Sequence, residues 1–305
     1  MAQSISVVIN TLNEEKNIAR ALKSVGWADE ILVCDMYSGD KTVEIAKQFG
    51  AKVVFHKKVN YVEPARNFAV SKAGSFWILI LDADEEIPSC LVKRLREIAS
   101  KPMVSDYIEI PRKNIIFGKW IKATGWWPDN QIRFFKKNAV VWQDKIHAKP
   151  IVEGKSLTIP PEENLAIIHH NYQTVAQFLT RMNRYTDIES EQINSQGYIF
   201  DWKDLVQKPL GEFLSRFFAG HGYEDGLHGI ALSLLQAFSV FVVYLKLWEL
   251  SRFKKEQISL KDIEEEQINL FNQINYWIRQ TKIGKNPFKK FTHFISKRVS
   301  FGKNK

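Results

Sequence analysis

Cysteine is nearly missing from this chain of 305 residues, which has only Cys34 and Cys90. That scarcity excludes a disulfide-stapled secreted scaffold. The two also lack the short spacing of a zinc or redox motif, so buried, unpaired thiols in a reducing compartment are expected. The opening MAQSISVVIN holds neither a basic stretch nor a long apolar one. No secretory signal is therefore expected, and the compartment is expected to be cytosolic. Repeats and low-complexity tracts are absent. With 45% hydrophobic and 25% charged residues, the chain reads as globular, either one large domain with an appendage or two medium ones. No apolar run is clean enough to span a membrane plainly. The most apolar segment, Gly226 to Leu250, carries Ser233, Gln236, Ser239 and Lys246 within its core from Ile230 to Leu247. A helix lying in a membrane interface, or buried between helices, is expected there in preference to a spanning one.

Acidic residues are missing from the last part of the chain. From Arg279 to Lys305 there are nine Lys or Arg and no Asp or Glu, which accounts for the whole net charge of +9 and leaves residues 1 to 278 neutral on balance. Such a tail can be a solvated face, a nucleic-acid arm or an anchor for anionic lipid.

What is present begins with alternating strands and helices. Ser6 to Ile9 reads as a strand, followed by the polar turn Asn10 to Glu15 and a helix with Ile18, Leu22 and Val25 at helical spacing. Ile31 to Cys34 is a second strand, closed by Asp35 and the turn residues Ser38, Gly39 and Asp40. Thr42 to Phe49 is a helix stopped by Gly50. Lys52 to Phe55 is a third strand, Pro64 to Ala73 a helix opened by proline, and Phe76 to Leu81 a fourth strand. Strands that are apolar throughout and alternate with helices predict an α/β fold with a mostly parallel sheet covered on both faces. In such sheets ligands sit beyond the C-terminal strand ends, where these polar residues lie. A helix with Leu91, Leu95 and Ile98 follows Pro88, then shorter strands from Tyr107 to Val152, and a mainly helical reading from Thr174.

Asp82-Ala83-Asp84 directly follows the fourth strand. Carboxylates placed there suit two tasks, one meeting a ribose and the other holding a divalent cation that bridges diphosphate oxygens. Mg²⁺ and Mn²⁺ favour oxygen ligands of this kind. The alternative is a helix N-cap cluster, with Glu85 and Glu86 favouring the helix dipole.

Three stretches then carry a resemblance: VVINTLNEEKNI (Val7 to Ile18), CDMYSGDKTVEIAKQFGAKVV (Cys34 to Val54) and ARNFAVSKAGSFWILILDADE (Ala65 to Glu85). In order and spacing the chain resembles glycosyltransferase family 2, whose fold is GT-A. The resemblance implies that Thr11 and Glu14 line a nucleotide pocket, that Asp35 accepts the base N–H, and that Arg66 lies near the base or diphosphate. It also implies that Asp82 meets the ribose and Asp84 holds the metal. Asn10 stands where proline is common, Leu12 where tyrosine is common, and Met36 where a small polar residue is usual. GWWPDNQIRFFKK (Gly125 to Lys137), the HHNYQT segment from His169, and Glu224 to Leu250 resemble bacterial lipopolysaccharide-core glucosyltransferase-like enzymes of that family. By that pattern Asp129 is the catalytic base; otherwise Pro128-Asp129-Asn130 is a generic turn. A positioned carboxylate that takes the acceptor's hydroxyl proton would drive a single, inverting displacement. His169 is a candidate further metal ligand, or else a structural histidine. His147 is a weaker candidate, and Ala148 stands where the closer relatives carry glutamate.

These readings combine into a GT-A catalytic domain over residues 1–200 and a helical, membrane-associating region over 201–305. The expected cofactor is Mg²⁺ or Mn²⁺ and the expected donor a nucleotide-diphosphate sugar, with UDP favoured. The expected acceptor is a glycolipid or lipid-linked glycan. Phe288, Phe291, Phe294 and Ile295 recur among the tail's lysines, so an anionic membrane surface is the expected partner and nucleic acid is not. The chain is placed at the cytoplasmic face of the inner membrane. A sugar-1-phosphate nucleotidyltransferase would want a Gly-rich basic loop after the first strand, and Asn10 to Lys16 is acidic with no glycine. A catalytically silent, membrane-docked scaffold of the same fold is the other alternative.

Overall fold

The computed structural model describes residues 3–59, 63–101, 105–143 and 149–284. His147, Ala148 and most of the basic tail lie outside the described residues. The chain forms two compact units. The first takes residues 1–120 and 126–173, the second 121–125 and 174–305, so the change of unit falls before the position 200 expected from sequence.

In the first unit the expected alternation is present. β1 (Ile5–Thr11), α1 (Ile18–Ser24), β2 (Glu30–Asp35), α2 (Thr42–Gln48), β3 (Lys52–Phe55), α3 (Glu63–Lys72) and β4 (Trp77–Asp82) follow one another. A short strand β5 (Glu85–Glu86) precedes α4 (Ser89–Ser100). Then come β6 (Tyr107–Ile110), β7 (Arg112–Ile116), β8 (Lys119–Trp120), β9 (Gln131–Lys136), β10 (Val140–Val141), β11 (Ile151–Val152), β12 (Ser156–Thr158) and β13 (Ile167–His170). The main sheet runs β12-β6-β9-β4-β1-β2-β3. β1 to β4 are mutually parallel, and β9 returns antiparallel between β4 and β6. This is the mixed, mostly parallel α/β sheet of the GT-A type.

Both faces of that sheet are covered, which explains why its strands are apolar without alternation. Val7 and Ile9 of β1 and Trp77, Leu79 and Leu81 of β4 pack with Ile18 and Leu22 of α1 and with Leu91 and Leu95 of α4. On the opposite face Val8, Ile78 and Ile80 meet Ala69 and Val70 of α3. Each such large side chain, fully buried, contributes roughly 1.5–3 kcal/mol. Trp77 also stacks on Phe134 of β9 with ring centroids 4.6 Å apart.

Of the two thiols, Cys34 is buried as expected, while Cys90 is exposed, against expectation. α4 turns Leu91, Leu95, Ile98 and Ala99 inward. Cys90, one residue before Leu91, lies about 100° round the helix on its outer side. Burial and the neighbouring Asp35 push the Cys34 thiol up to about 11, which keeps it protonated and unreactive.

The second unit is helical, with α5 (Val175–Ser195), α6 (Asp204–Leu214), α7 (Leu227–Leu250) and α8 (Leu260–Gly284). α7 packs on α5 and α6. Lys246, the one charge inside its apolar core segment, reaches α5 and donates to the carbonyl of Asn183 (2.8 Å), to Thr186 Oγ1 (2.9 Å) and to Asp187 (2.5 Å). A different stripe of α7 stays uncovered in this unit: Leu227, Ile230, Leu234 and Phe238 are all exposed. The start of α7 is fixed by close approach. A Cβ on Gly229 would lie 1.7 Å from the carbonyl oxygen of Gly222. Asp225 Oδ2 accepts from the backbone N–H groups of Lys122 (3.0 Å) and Ala123 (2.8 Å), tying the 121–125 strip into this unit. The Glu224 to Leu250 segment thus has a packing reason for its Asp and Gly.

Candidate active site

Strand register sets the first row of the site. Thr11 lies opposite Asp35, and Asn10 lies between Cys34 and Asp82, so the polar residues sit level across the C-terminal ends of β1, β2 and β4. Thr11 is 2% exposed, and among the described residues neither its hydroxyl nor either amide atom of the buried Asn10 has a hydrogen-bond partner. Asp35 is fully buried and accepts from Ser38 through N–H (2.8 Å) and Oγ (2.5 Å). Glu14 accepts from Asn17 Nδ2 (2.8 Å), and its own N–H donates to Thr42 Oγ1 (2.8 Å). Unpaired buried polar atoms beside a carboxylate form a pocket edge able to receive a polar ligand.

Asp82, at the end of β4, is gripped from two sides. Arg66 of α3 donates to Oδ1 (2.8 Å) and Arg133 of β9 to Oδ2 (2.6 Å). Burial pushes its carboxyl up, but Arg133 and Arg66 outweigh that and hold it well below the usual carboxylate range. Arg133, 4% exposed, also donates to Glu85 Oε1 (2.8 Å), and the two carboxylates keep it firmly protonated against its burial. Glu85 is fully buried, and its Oε2 accepts the N–H of Asp82 (2.9 Å). The N-cap alternative fails on this point. Glu85 and Glu86 form β5, α4 starts only at Ser89 after Pro88, and its first turn holds no acid.

Asp84 lies in the turn between β4 and β5, and His169 of β13 comes to it with Nε2 3.6 Å from Asp84 Oδ1. The alternation of β13 sends His170 to the other side, to Glu86 Oε2 at 3.3 Å. His169 Nδ1 lies 2.7 Å from Asn114 Oδ1 on β7, its register partner. The Asn114 amide nitrogen donates to the carbonyl of Trp126 (2.9 Å) and to Asp129 Oδ2 (2.8 Å). Asp129 sits at φ 41°, beyond the ordinary range for a residue other than glycine, in a turn after the cis Trp127–Pro128 peptide. Its Oδ2 also faces Arg112 Nε (2.8 Å) and Nη2 (2.7 Å), while among the described residues Oδ1 accepts only from Gln131 (2.9 Å). Oδ1 is therefore the oxygen with lone pairs to spare. Arg112 in turn approaches Glu85 Oε1 at 3.3 Å.

The expected residues Arg66, Asp82, Asp84, Asp129 and His169 are thus linked in one polar network, with Thr11 and Asp35 on the adjoining strand ends. Four members were not anticipated: Glu85, Arg112, Asn114 and Arg133. Arg133 alone had a signal, as a charge inside the apolar strand QIRFFK, where burial demands carboxylate partners. Among the described residues no group of three or more His, Cys, Asp and Glu gathers to hold a metal ion. Asp84 and His169 nonetheless fit one divalent cation, since two bonds of about 2.1 Å bridge their separation and Mg²⁺ or Mn²⁺ commonly takes its remaining ligands from phosphate and water.

The sequence model of glycosyl transferase family 2 matches residues 6–150. An uncharacterized glycosyltransferase of Rickettsia typhi is 29% identical over 296 residues, covering 94% of this chain and 100% of the relative. Among solved structures, residues 1–349 of TarS from S. aureus match 84% of this chain and 94% of that one, at 14% identity and a TM-score of 0.45. Glucosyl-3-phosphoglycerate synthase from Mycobacterium tuberculosis, solved with Mn²⁺, UDP and glucosyl-3-phosphoglycerate, matches 36% of this chain and 44% of that chain, at 22% identity and a TM-score of 0.32. The family's pattern spans residues 6–150, from β1 to β10, and a relative at 29% identity is matched along its whole length, so the chain is similar to glycosyltransferase family 2.

Proposed function

We propose that the protein is an inverting, metal-dependent transferase that moves a sugar from a nucleotide-diphosphate donor, favouring UDP, to a hydroxyl of a lipid-linked or cell-envelope glycan. The observation that carries this reading is the approach of His169 Nε2 to Asp84 Oδ1, 3.6 Å apart, beside the strand-end row of Thr11, Asp35 and Asp82. Thr11, Glu14 and Asp35 receive the nucleoside. Arg66 and Asp82, already paired, lie toward the ribose and diphosphate. Asp84 and His169 hold Mg²⁺ or Mn²⁺, which when bound stabilises charge on the departing diphosphate. Asp129 takes the proton of the acceptor hydroxyl through Oδ1. The hydroxyl oxygen bonds to the anomeric carbon as the bond to the diphosphate breaks, the electron pair leaves with the diphosphate, and the configuration inverts. A carboxylate positioned for this step contributes typically ~10²–10⁴-fold.

The proposed acceptor and location follow from the second unit and the tail. α7 is, among the described residues, the one helix long and apolar enough to cross a membrane, and it keeps its Leu227, Ile230, Leu234 and Phe238 stripe exposed. Nine uncompensated basic residues from Arg279 onward add attraction for anionic lipid, on the order of 1 kcal/mol each near the surface. The enzyme then works at the cytoplasmic face of the inner membrane, resting on it without spanning. The test is a screen of nucleotide sugars for thermal stabilisation and hydrolysis with and without Mn²⁺, using the parent and Asp84→Ala. Metal-dependent stabilisation that Asp84→Ala abolishes is expected. Equal donor binding and turnover by Asp84→Ala in Mn²⁺ would remove the metal from the reading.

A further inference from the structure

Asn114 is fully buried, and its side chain touches both proposed chemical centres. Its amide nitrogen has two hydrogens, and both face groups that can only accept: the Trp126 carbonyl at 2.9 Å and Asp129 Oδ2 at 2.8 Å. Flipping the amide would set its oxygen against a carbonyl and a carboxylate, so its orientation follows from chemistry alone. Asn114 Oδ1 is thereby left to face His169 Nδ1 at 2.7 Å, and a carboxamide oxygen cannot donate. The proton must sit on Nδ1. In the neutral ring Nε2 then carries the lone pair, and Nε2 is the nitrogen that faces Asp84.

We infer that Asn114 is a positioning residue that fixes His169 as the Nδ1–H tautomer, with Nε2 presented for a divalent cation, and aims the Asp129 carboxylate through its other end. The inference rests on the metal reading proposed above, but its tautomer half stands in the metal-free protein. One carboxamide, held at both ends, sets the ligand and the base together. The Trp126 carbonyl is the anchor that keeps the amide from rotating away from either. Residues that orient a ligating histidine through its second nitrogen typically alter metal affinity 10- to 100-fold when removed.

The test uses the full chain. With ¹⁵N-labelled histidine and no metal, at a pH where the ring is neutral, two-bond ¹H–¹⁵N correlation, with the His169 signals identified by their loss in His169→Gln, should show the proton on Nδ1. A neutral ring carrying its proton on Nε2 would overturn the inference. Asn114→Leu should mix the tautomers and weaken Mn²⁺ binding by roughly 10- to 100-fold in calorimetry. Asn114→Asp keeps an oxygen facing Nδ1 but sets its other oxygen against the Trp126 carbonyl and Asp129, so it should hold the Nδ1–H tautomer while losing the donor to Asp129. If Asn114→Asp mixed the tautomers as Asn114→Leu does, Asn114 would be a packing residue only. At saturating Mn²⁺ and donor, Asn114→Leu should still turn over at least about 10-fold slower, because Asp129 has lost an aiming donor. An unchanged kcat would remove the Asp129 half. A parent protein that bound no Mn²⁺ would refute the metal reading and leave the tautomer result to be judged by itself.

Discussion

Replacing Arg133 by methionine should be among the most damaging single changes in the first unit. Its guanidinium is 4% exposed and donates to Asp82 at 2.6 Å and to the fully buried Glu85 at 2.8 Å. Methionine fills comparable volume, so packing is largely kept and the loss is electrostatic. Among the described residues the two carboxylates then keep Arg66 at 2.8 Å and Arg112 at 3.3 Å as cationic partners. Breaking a buried pair by removing one partner costs about 3–5 kcal/mol. At about 2–4 °C per kcal/mol for a domain of 150–250 residues, the melting temperature should fall by roughly 6–20 °C. The pH dependence adds a second signature with a definite sign. In the parent, Asp82 has a folded pKa far below its unfolded value near ~3.9, so its contribution is complete above that value and is lost only as pH falls below it. In Arg133→Met the carboxylates lose the cation that favours their charged form, so lowering the pH from 7 toward 5 should stabilise the variant relative to the parent. Adding Glu85→Gln should recover part of the loss. Chemical denaturation at pH 5 and 7 measures all three. A loss under about 1 kcal/mol, or identical pH slopes in parent and variant, would refute the view of Arg133 as the charge that holds the network together.

Asp129→Asn should bind the donor like the parent yet lose transfer by at least about 10²-fold, read as kcat at saturating donor, because the side chain keeps its shape and loses its basicity. Removing residues 285–305 should lower affinity for anionic vesicles, and the difference from the full chain should shrink above 0.1 M salt, where screening acts over ~10 Å. Hydrolysis of a soluble donor should be nearly unaffected, and equal vesicle binding by both forms would contradict the lipid role of the tail. Gly229→Ala places a methyl group 1.7 Å from the Gly222 carbonyl oxygen and should destabilise the second unit by about 1–3 kcal/mol or more, seen as earlier unfolding of the helical signal.

The strands β1 to β4 and the residues at their ends were legible because each strand is a continuous apolar run followed at once by a polar turn. That local pattern placed the polar turns and Asp82-Ala83-Asp84 at strand ends, and the resemblance to glycosyltransferase family 2 singled out Thr11 and Asp35 within them. The rest of the site depends on pairing at a distance, and local periodicity carries no information about it. Arg133 meets Asp82 across 51 residues and Glu85 across 48, because β9 returns antiparallel beside β4. Asn114 meets His169 across 55, because β13 pairs parallel with β7. Glu85 suggested a helix cap because a two-residue strand leaves no periodicity to read. Cys90 is exposed although its neighbour Leu91 is buried, because on a helix adjacent residues point about 100° apart.

The strip Ile121–Gly125 belongs to the helical unit although the chain before and after it belongs to the sheet. Its N–H groups at Lys122 and Ala123 are satisfied by Asp225, which follows 103 and 102 residues later. During synthesis at ~5–20 residues per second, the strip waits about 5–20 s for its partner to emerge. A fragment ending at residue 173 would never complete it. The gene therefore cannot be shortened to the transferase domain at that boundary without leaving five residues in its middle written for a partner that is no longer encoded.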